Sequence, residues 1–257
     1  MKFHLIRKTL RLALVTCLLI STASLYAQQA RLHTTNHHAW LMYFGNHKFS
    51  ERFGLHAEVQ WRRHDLFAES QQLLLRTGLD YYLKNGARLT VGYAFVETYP
   101  YGDFAVANAF PEHRIWQQLA TTQTLGKVRL AHRYRIEQRM IGNSATGEFE
   151  NGRFEHRFRY MAKASVNLTG GEHPVFAAVY DEIFINAGKD VAYNIFDQNR
   201  AYAALGYTFS PTWKLEVGYL YQLVQLRSLD TTAGTRNRIE DNHTFQVGVY
   251  STIGFVK

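Results

Sequence analysis

The sequence predicts an all-β fold: an antiparallel up-and-down transmembrane β-barrel of about 10 to 12 strands, following a cleaved N-terminal signal peptide. Three observations carry this expectation. Beyond residue 27, apolar and polar residues alternate with period two, and no helical i, i+3, i+4 stripe persists. Several alternating segments run to 12 residues or more, longer than ordinary globular strands and enough for the roughly 9 to 11 residues of a tilted membrane strand. Short turns also alternate with longer links, the pattern of strands that run up and down across a membrane.

At the N-terminus, Lys2, Arg7, Lys8 and Arg11 precede or open an apolar run from Leu12 to Ile20, and Leu25-Tyr26-Ala27 supplies a cleavage site before Gln28. The run falls short of the roughly 20 apolar residues of a spanning helix. Residues 1–27 therefore read as a secretory signal peptide and residues 28–257 as a single barrel domain. A lipoprotein modified at Cys17 is the alternative; Thr16 before it and Leu18-Leu19-Ile20 after it argue against that. Removing the signal takes four basic residues and no acidic ones, leaving 25 Lys and Arg against 21 Asp and Glu, so the formal charge falls from +8 to +4. So small an excess gives no support to a nucleic-acid partner. The only cysteine leaves with the signal, which removes disulfide and thiol chemistry and suits the bacterial envelope. With 33 Phe and Tyr, and only four Pro and 18 Gly, the composition favours β structure over disorder.

Along the chain, Arg52 to Arg63 sets Leu55, Ala57, Val59 and Trp61 against His56, Glu58, Gln60 and Arg62. Leu75 to Leu83 and Arg88 to Val96 alternate likewise, joined through Asn85-Gly86, a hairpin signal. Val128 to Met140, Arg153 to Leu168, Val175 to Asn186, Arg200 to Phe209, Trp213 to Gln225 and His243 to Phe255 follow the same rule, and His37 to Phe44 and Glu112 to Leu125 follow it less regularly. Short turns are expected at Lys84 to Gly86, near Gly126, at Thr169 to Pro174 and at Ser210 to Thr212. Longer links are expected at His64 to Gln71, Tyr99 to Pro111, Ile141 to Gly152, Ala187 to Asn199 and Leu226 to Asn242. Aromatics at strand ends, among them Tyr81, Tyr82, Tyr207, Trp213, Tyr219, Tyr221 and Phe255, are placed where interfacial girdles would lie.

The charges decide which face is inside. Arg133, Arg135, Glu137 and Arg139 alternate with Tyr134, Ile136 and Gln138, and Arg153, Glu155, Arg157 and Arg159 repeat the pattern on the next strand. An Arg facing lipid near the midplane costs roughly 2 to 4 kcal/mol, so three on one strand would approach the stability of a whole domain. These charges must face the lumen. Glu58, Arg62, Arg76, Asp80, Glu182, Arg200, Lys214 and Glu216 share the inward phase, whereas His156 and Asp181 fall outward. A charged lumen reads either as a structural core or as a narrow, anion-preferring pore for a small anionic solute. An outer-membrane lipid-modifying enzyme and a soluble periplasmic ligand-binding barrel are the alternatives. No Gly-x-Ser-x-Gly elbow, His-Glu-x-x-His or phosphate-binding glycine loop occurs. His113 beside Glu112 points to the opposite face, so the two do not share a lumen. No cofactor or metal set is expected.

Trp40-Leu41-Met42-Tyr43-Phe44-Gly45, Glu112-His113-Arg114-Ile115-Trp116-Gln117-Gln118, Arg133-Tyr134-Arg135-Ile136-Glu137-Gln138-Arg139, Asp181-Glu182-Ile183-Phe184 and Asp197-Gln198-Asn199-Arg200 together resemble the family called domain of unknown function 2490. The resemblance covers nearly the whole mature chain. It implies export in Gram-negative bacteria and an outer-membrane barrel, and it assigns no activity. Glu112, Arg114, Arg133, Arg135, Glu137, Arg139, Glu182 and Arg200 match motif positions. Outer-membrane lipid and lipopolysaccharide follow as partners, as does the barrel assembly machinery, since Phe245, Val247, Val249, Ile253 and Phe255 hold one phase toward an aromatic ending. Strand parity is a departure from the simplest barrel. With the C-terminus in the periplasm, an eleventh strand would put Gln28 outside, so ten or twelve strands are expected.

Overall fold

The computed structural model describes residues 31–232 and 235–255; the predicted signal peptide lies outside the described residues. Eleven strands form one closed barrel: β1 (Arg31–Lys48), β2 (Phe53–His64), β3 (Glu69–Tyr82), β4 (Arg88–Thr98), β5 (Phe110–Leu125), β6 (Val128–Ile141), β7 (Arg153–Asn167), β8 (Val175–Ala187), β9 (Phe196–Ser210), β10 (Trp213–Asp230) and β11 (Arg236–Ser251). Sequence neighbours pair antiparallel around the ring. The parity expectation of ten or twelve, and that of a wholly antiparallel barrel, are both corrected at the seam. There β1 runs parallel to β11, from Arg31 opposite Asn237 to Gly45 opposite Ser251. An odd ring of up-and-down strands closes only if one neighbouring pair is parallel, and this pair meets that condition over nearly the whole of β1.

Several strands reach further than alternation alone indicates. β3 starts at Glu69 and not Leu75, β9 at Phe196 and not Arg200, β10 runs to Asp230 and not Gln225, and β11 starts at Arg236 and not His243. These extensions mix polar residues with Leu73, Leu74, Phe196, Leu226, Leu229 and Ile239 without a sustained alternation, which hides them from a period-two pattern, yet the ladder still satisfies their backbone groups. Arg236 stands opposite Asp230 and makes a 2.5 Å ion pair with it. Most of the link expected at Leu226 to Asn242 is therefore strand, with β10 running to Asp230 and β11 starting at Arg236. At the other end β11 stops at Ser251, before the expected Phe255, whose N–H donates to the Lys48 carbonyl at 2.8 Å. Tyr219 and Tyr221 lie inside β10, away from its ends, where they hydrogen-bond His243 and Asp241 at 2.5 Å each. Short turns gather at one end of the barrel and the links 99–109, 142–152 and 188–195 at the other. Gly86 makes the expected hairpin at φ +82°, with Asn85 Oδ1 accepting from the Ala87 N–H at 3.1 Å.

The two walls differ in polarity as the alternation requires. On β6, Ile136 is 39 % exposed on the outside, while its neighbours Arg135 and Glu137 are 2 % and 0 % exposed within. Leu55, Val59, Trp61, Leu79, Val91, Phe158, Ile183, Leu205 and Phe245 continue the apolar outer wall. His156 and Asp181 face outward as expected. His156 meets Phe154 edge-on at 5.0 Å, and both Asp181 oxygens accept from Asn199 at 3.1 Å. Inside, a small apolar cluster of Trp40, Met42, Tyr202 and Leu220 fills the β1, β9 and β10 side, and elsewhere buried polar and charged side chains surround single apolar ones such as Leu74, Trp116, Phe176 and Phe184.

Trp116 shows how the interior is fitted. A Cβ at Gly78 would stand 2.9 Å from the indole, and one at Gly92 would stand 2.8 Å from it and 2.1 Å from the Thr77 carbonyl. These two glycines face each other across β3 and β4 and leave a notch in which Trp116 sits. Gly92→Ala is expected to cost about 1–3 kcal/mol by overpacking, read as a lower urea midpoint together with altered near-ultraviolet circular dichroism of the displaced indole.

Candidate functional site: the charged lumen

Every candidate site residue from the sequence faces the lumen, and the strand ladder brings them together. Glu137 on β6 is the hub. Its Oε2 accepts from Arg157 Nη2 at 2.5 Å and Nε at 2.9 Å, and its Oε1 from Arg159 Nη1 at 2.8 Å and Arg76 Nη2 at 3.2 Å. Arg135 and Arg114 stand at 3.8 and 3.9 Å. One fully buried carboxylate thus lies among five guanidinium groups from β3, β5, β6 and β7.

The network spreads from this hub. Arg76 continues to both oxygens of Glu58 at 2.8 Å, Arg159 to Glu182 at 2.8 Å, and Glu182 to Arg133 at 2.8 Å. Arg157 reaches Asp197 at 3.1 Å. Toward the long-link end, Glu112 accepts from Arg114 and Arg139, each at 2.6 Å through Nε. Glu155 takes Arg153 at 2.8 Å and Arg139 at 3.6 Å. Charge-assisted forks of this kind satisfy several donors at once and fix strand against strand.

Aromatic platforms complete the arrangement, and their role went unread in the sequence. The guanidinium carbons of Arg135 and Arg76 lie 4.7 and 5.5 Å from the Trp116 ring; those of Arg159, Arg200 and Arg157 lie 4.3, 4.8 and 5.4 Å from Phe184; those of Arg62 and Arg200 lie 4.1 and 5.2 Å from Trp40. Trp40, Trp116 and Phe184 occupy the inward phase of their strands, and that was the available signal: a large aromatic among lumen-facing polar residues marks a cation platform. Neutral acceptors supply the rest. Gln118 Oε1 accepts from Arg135 at 2.7 and 3.0 Å, and Gln72 Oε1 from Arg62 at 2.6 Å.

A family model described as a protein of unknown function (DUF2490) matches residues 37–248. The chain belongs to this family. No curated protein matches the chain. The matched stretch holds all twelve candidate residues of this DUF2490 barrel, from Glu112 to Arg200, together with the three aromatic platforms.

The DUF2490 lumen is divided into two cavities. One of about 420 Å³ lies toward the long links and is walled by Arg62, Arg114, Arg139, Arg157 and Arg200 among others; one of about 260 Å³ lies toward the short turns, beside Phe44, His56, Arg133 and Tyr250. Gln60, Arg76, Arg159 and Arg200 belong to both walls, and Glu137 is buried between them. The link 99–109 bends across the larger mouth. Tyr101 donates to Glu240 Oε2 at 3.1 Å and packs against His38 and His64, with ring centres 5.5 and 5.4 Å away, while Asp103 accepts from Thr34. Burial and the adjacent Glu240 carboxylate hold the Tyr101 hydroxyl well above its ordinary pKa, so it remains a donor. Ten arginines (62, 76, 114, 133, 135, 139, 153, 157, 159 and 200) stand around the waist with six carboxylates (Glu58, Glu112, Glu137, Glu155, Glu182 and Asp197), and eight of the ten are paired with them. The inner wall is therefore electropositive. Among the described residues, no group of three or more His, Cys, Asp or Glu is placed to hold a metal ion.

Proposed function

We propose that the protein is an exported outer-membrane β-barrel of a Gram-negative envelope, closed at its waist by the Glu137 network, which serves as its structural core. The observation that carries this reading is the inverted polarity: charges inside, apolar side chains outside. Such an exterior suits lipid, where every backbone group must be paired within a closed ring. Outer-membrane lipid and lipopolysaccharide are then its surroundings, and the barrel assembly machinery its route there. On this reading the barrel carries no catalytic role, and overexpression leaves the lipid and lipopolysaccharide mass spectra unchanged.

A narrow, anion-preferring pore is the second reading, favoured by the surplus of arginine and by cavities that meet the same layer from both sides. Planar-bilayer recording separates the two. The closed barrel leaves a bilayer sealed although heat-modifiable gel mobility shows folded protein. The pore gives conductance steps with anion preference, reduced in Arg135→Gln and Arg157→Gln. Recovery of the native protein in the soluble periplasmic fraction would sink both.

A further inference from the structure

We propose that Arg62 and Arg200 form a binding site for a small soluble oxyanion, a phosphate or carboxylate group, at the floor of the larger cavity. Among the described residues, the other eight arginines of the waist each have a carboxylate oxygen within 3.8 Å, and these two are the departure. Arg200 is 8 % exposed, its Nε donates to Gln198 Oε1 at 3.0 Å, and its two terminal nitrogens make no hydrogen bond to the described residues. Arg62 is buried as well, and its donors go only to the neutral oxygens of Gln60 and Gln72. Among the described residues, neither guanidinium has a carboxylate oxygen within ion-pair distance.

Both stand against the Trp40 ring, at 4.1 and 5.2 Å, and both line the same cavity of about 420 Å³. Two like charges on one indole repel each other in a poorly hydrated wall. An oxyanion shared between them cancels that repulsion and takes the free fork of Arg200 bidentately, the geometry that guanidinium matches best. Acids in the same wall do not compete for this role. Glu112 is taken by Arg114 and Arg139, Asp197 by Arg157, and Glu240 by Tyr101. The volume is that of an ordinary small-molecule site.

The site rests on the reading that the larger cavity opens at the long-link end above a closed waist. Folded full-length protein in detergent at low salt is titrated calorimetrically with inorganic phosphate and with citrate. Saturable binding of at least one is expected, weakened about tenfold or more in Arg200→Gln and in Arg62→Gln, as for loss of one charge-assisted hydrogen bond. Arg52→Gln, a like charge change on the exposed 49–52 turn, leaves the affinity as it was. Each variant's fold is checked by heat-modifiable mobility. If one of the two lumen variants does not fold, the other decides the result, and the anion must still raise the wild-type melting temperature above an equal ionic strength of chloride. Failure of both anions to bind the wild type, or unchanged affinity in a folded lumen variant, overturns the site. Binding seen only with a short-chain phosphatidic acid in mixed micelles overturns the soluble ligand in favour of a lipid headgroup. Bilayer conductance would remove the closed waist and leave the titration result standing.

Discussion

Glu137→Gln is expected to destabilise the barrel by about 3–5 kcal/mol, the cost of removing one partner from a buried ion pair. Glutamine keeps the shape and one acceptor oxygen. It removes the single negative charge around which Arg76, Arg114, Arg135, Arg157 and Arg159 are gathered. Arg157 keeps Asp197, Arg159 keeps Glu182 and Arg76 keeps Glu58, so the loss falls short of the sum of five contacts. Arg135 is the group left worst placed, because its Nη1 is buried without a hydrogen bond even with Glu137 present. Urea unfolding in detergent micelles, followed by tryptophan fluorescence, measures the effect. A midpoint within error of wild type would show that the hub is not what holds β3, β5, β6 and β7 together.

Val59→Arg tests the outer wall. Val59 lies midway along β2, between Tyr43 of β1 and Leu75 of β3, and is 42 % exposed. If the barrel sits in a bilayer as proposed, arginine at this depth costs about 2–4 kcal/mol. In water a surface substitution of this kind changes stability by no more than about 0.5 kcal/mol. The folded fraction after refolding into lipid vesicles is therefore expected to fall sharply against wild type. Equal insertion of the two proteins would argue that this wall does not meet lipid.

Much of the fold was legible before any coordinates because the signal is local. A strand with one face toward charge and one toward apolar surroundings writes period two into the chain, and β2, β4, β6, β7 and β8 were readable to within about two residues. For a barrel set in lipid the faces of β6 and β7 follow from a single energetic comparison, and the shared phase extends it to Glu182 and Arg200; Glu112 and Arg114 are reached only through the family resemblance. Where polar and apolar residues do not alternate strictly, as at the long-link ends of β3, β9, β10 and β11, period two carries no contrast and the segment reads as a link. The role of Trp40, Trp116 and Phe184 is hidden for a related reason. Taken singly, an aromatic reads as apolar, and only the phase of its neighbours shows that it lies beneath an arginine.

The sequence by itself determined two-faced strands, charged on one side and apolar on the other, since alternation is a property of each strand alone; that the charged side turns inward follows from it only for a barrel set in lipid, as proposed. Three-dimensional closure decided the rest. Eleven strands meet at the β1–β11 parallel seam, which no single strand encodes, because parity belongs to the ring. The choice of partners among ten arginines and six carboxylates likewise belongs to the register of many strands at once. That register gives Glu137 five guanidinium neighbours and gives Arg62 and Arg200 no carboxylate partner among the described residues. Two residues apart in the chain sets only which face a charge occupies; its counter-ion is set across the lumen, where strands distant in sequence bring their side chains to the same height.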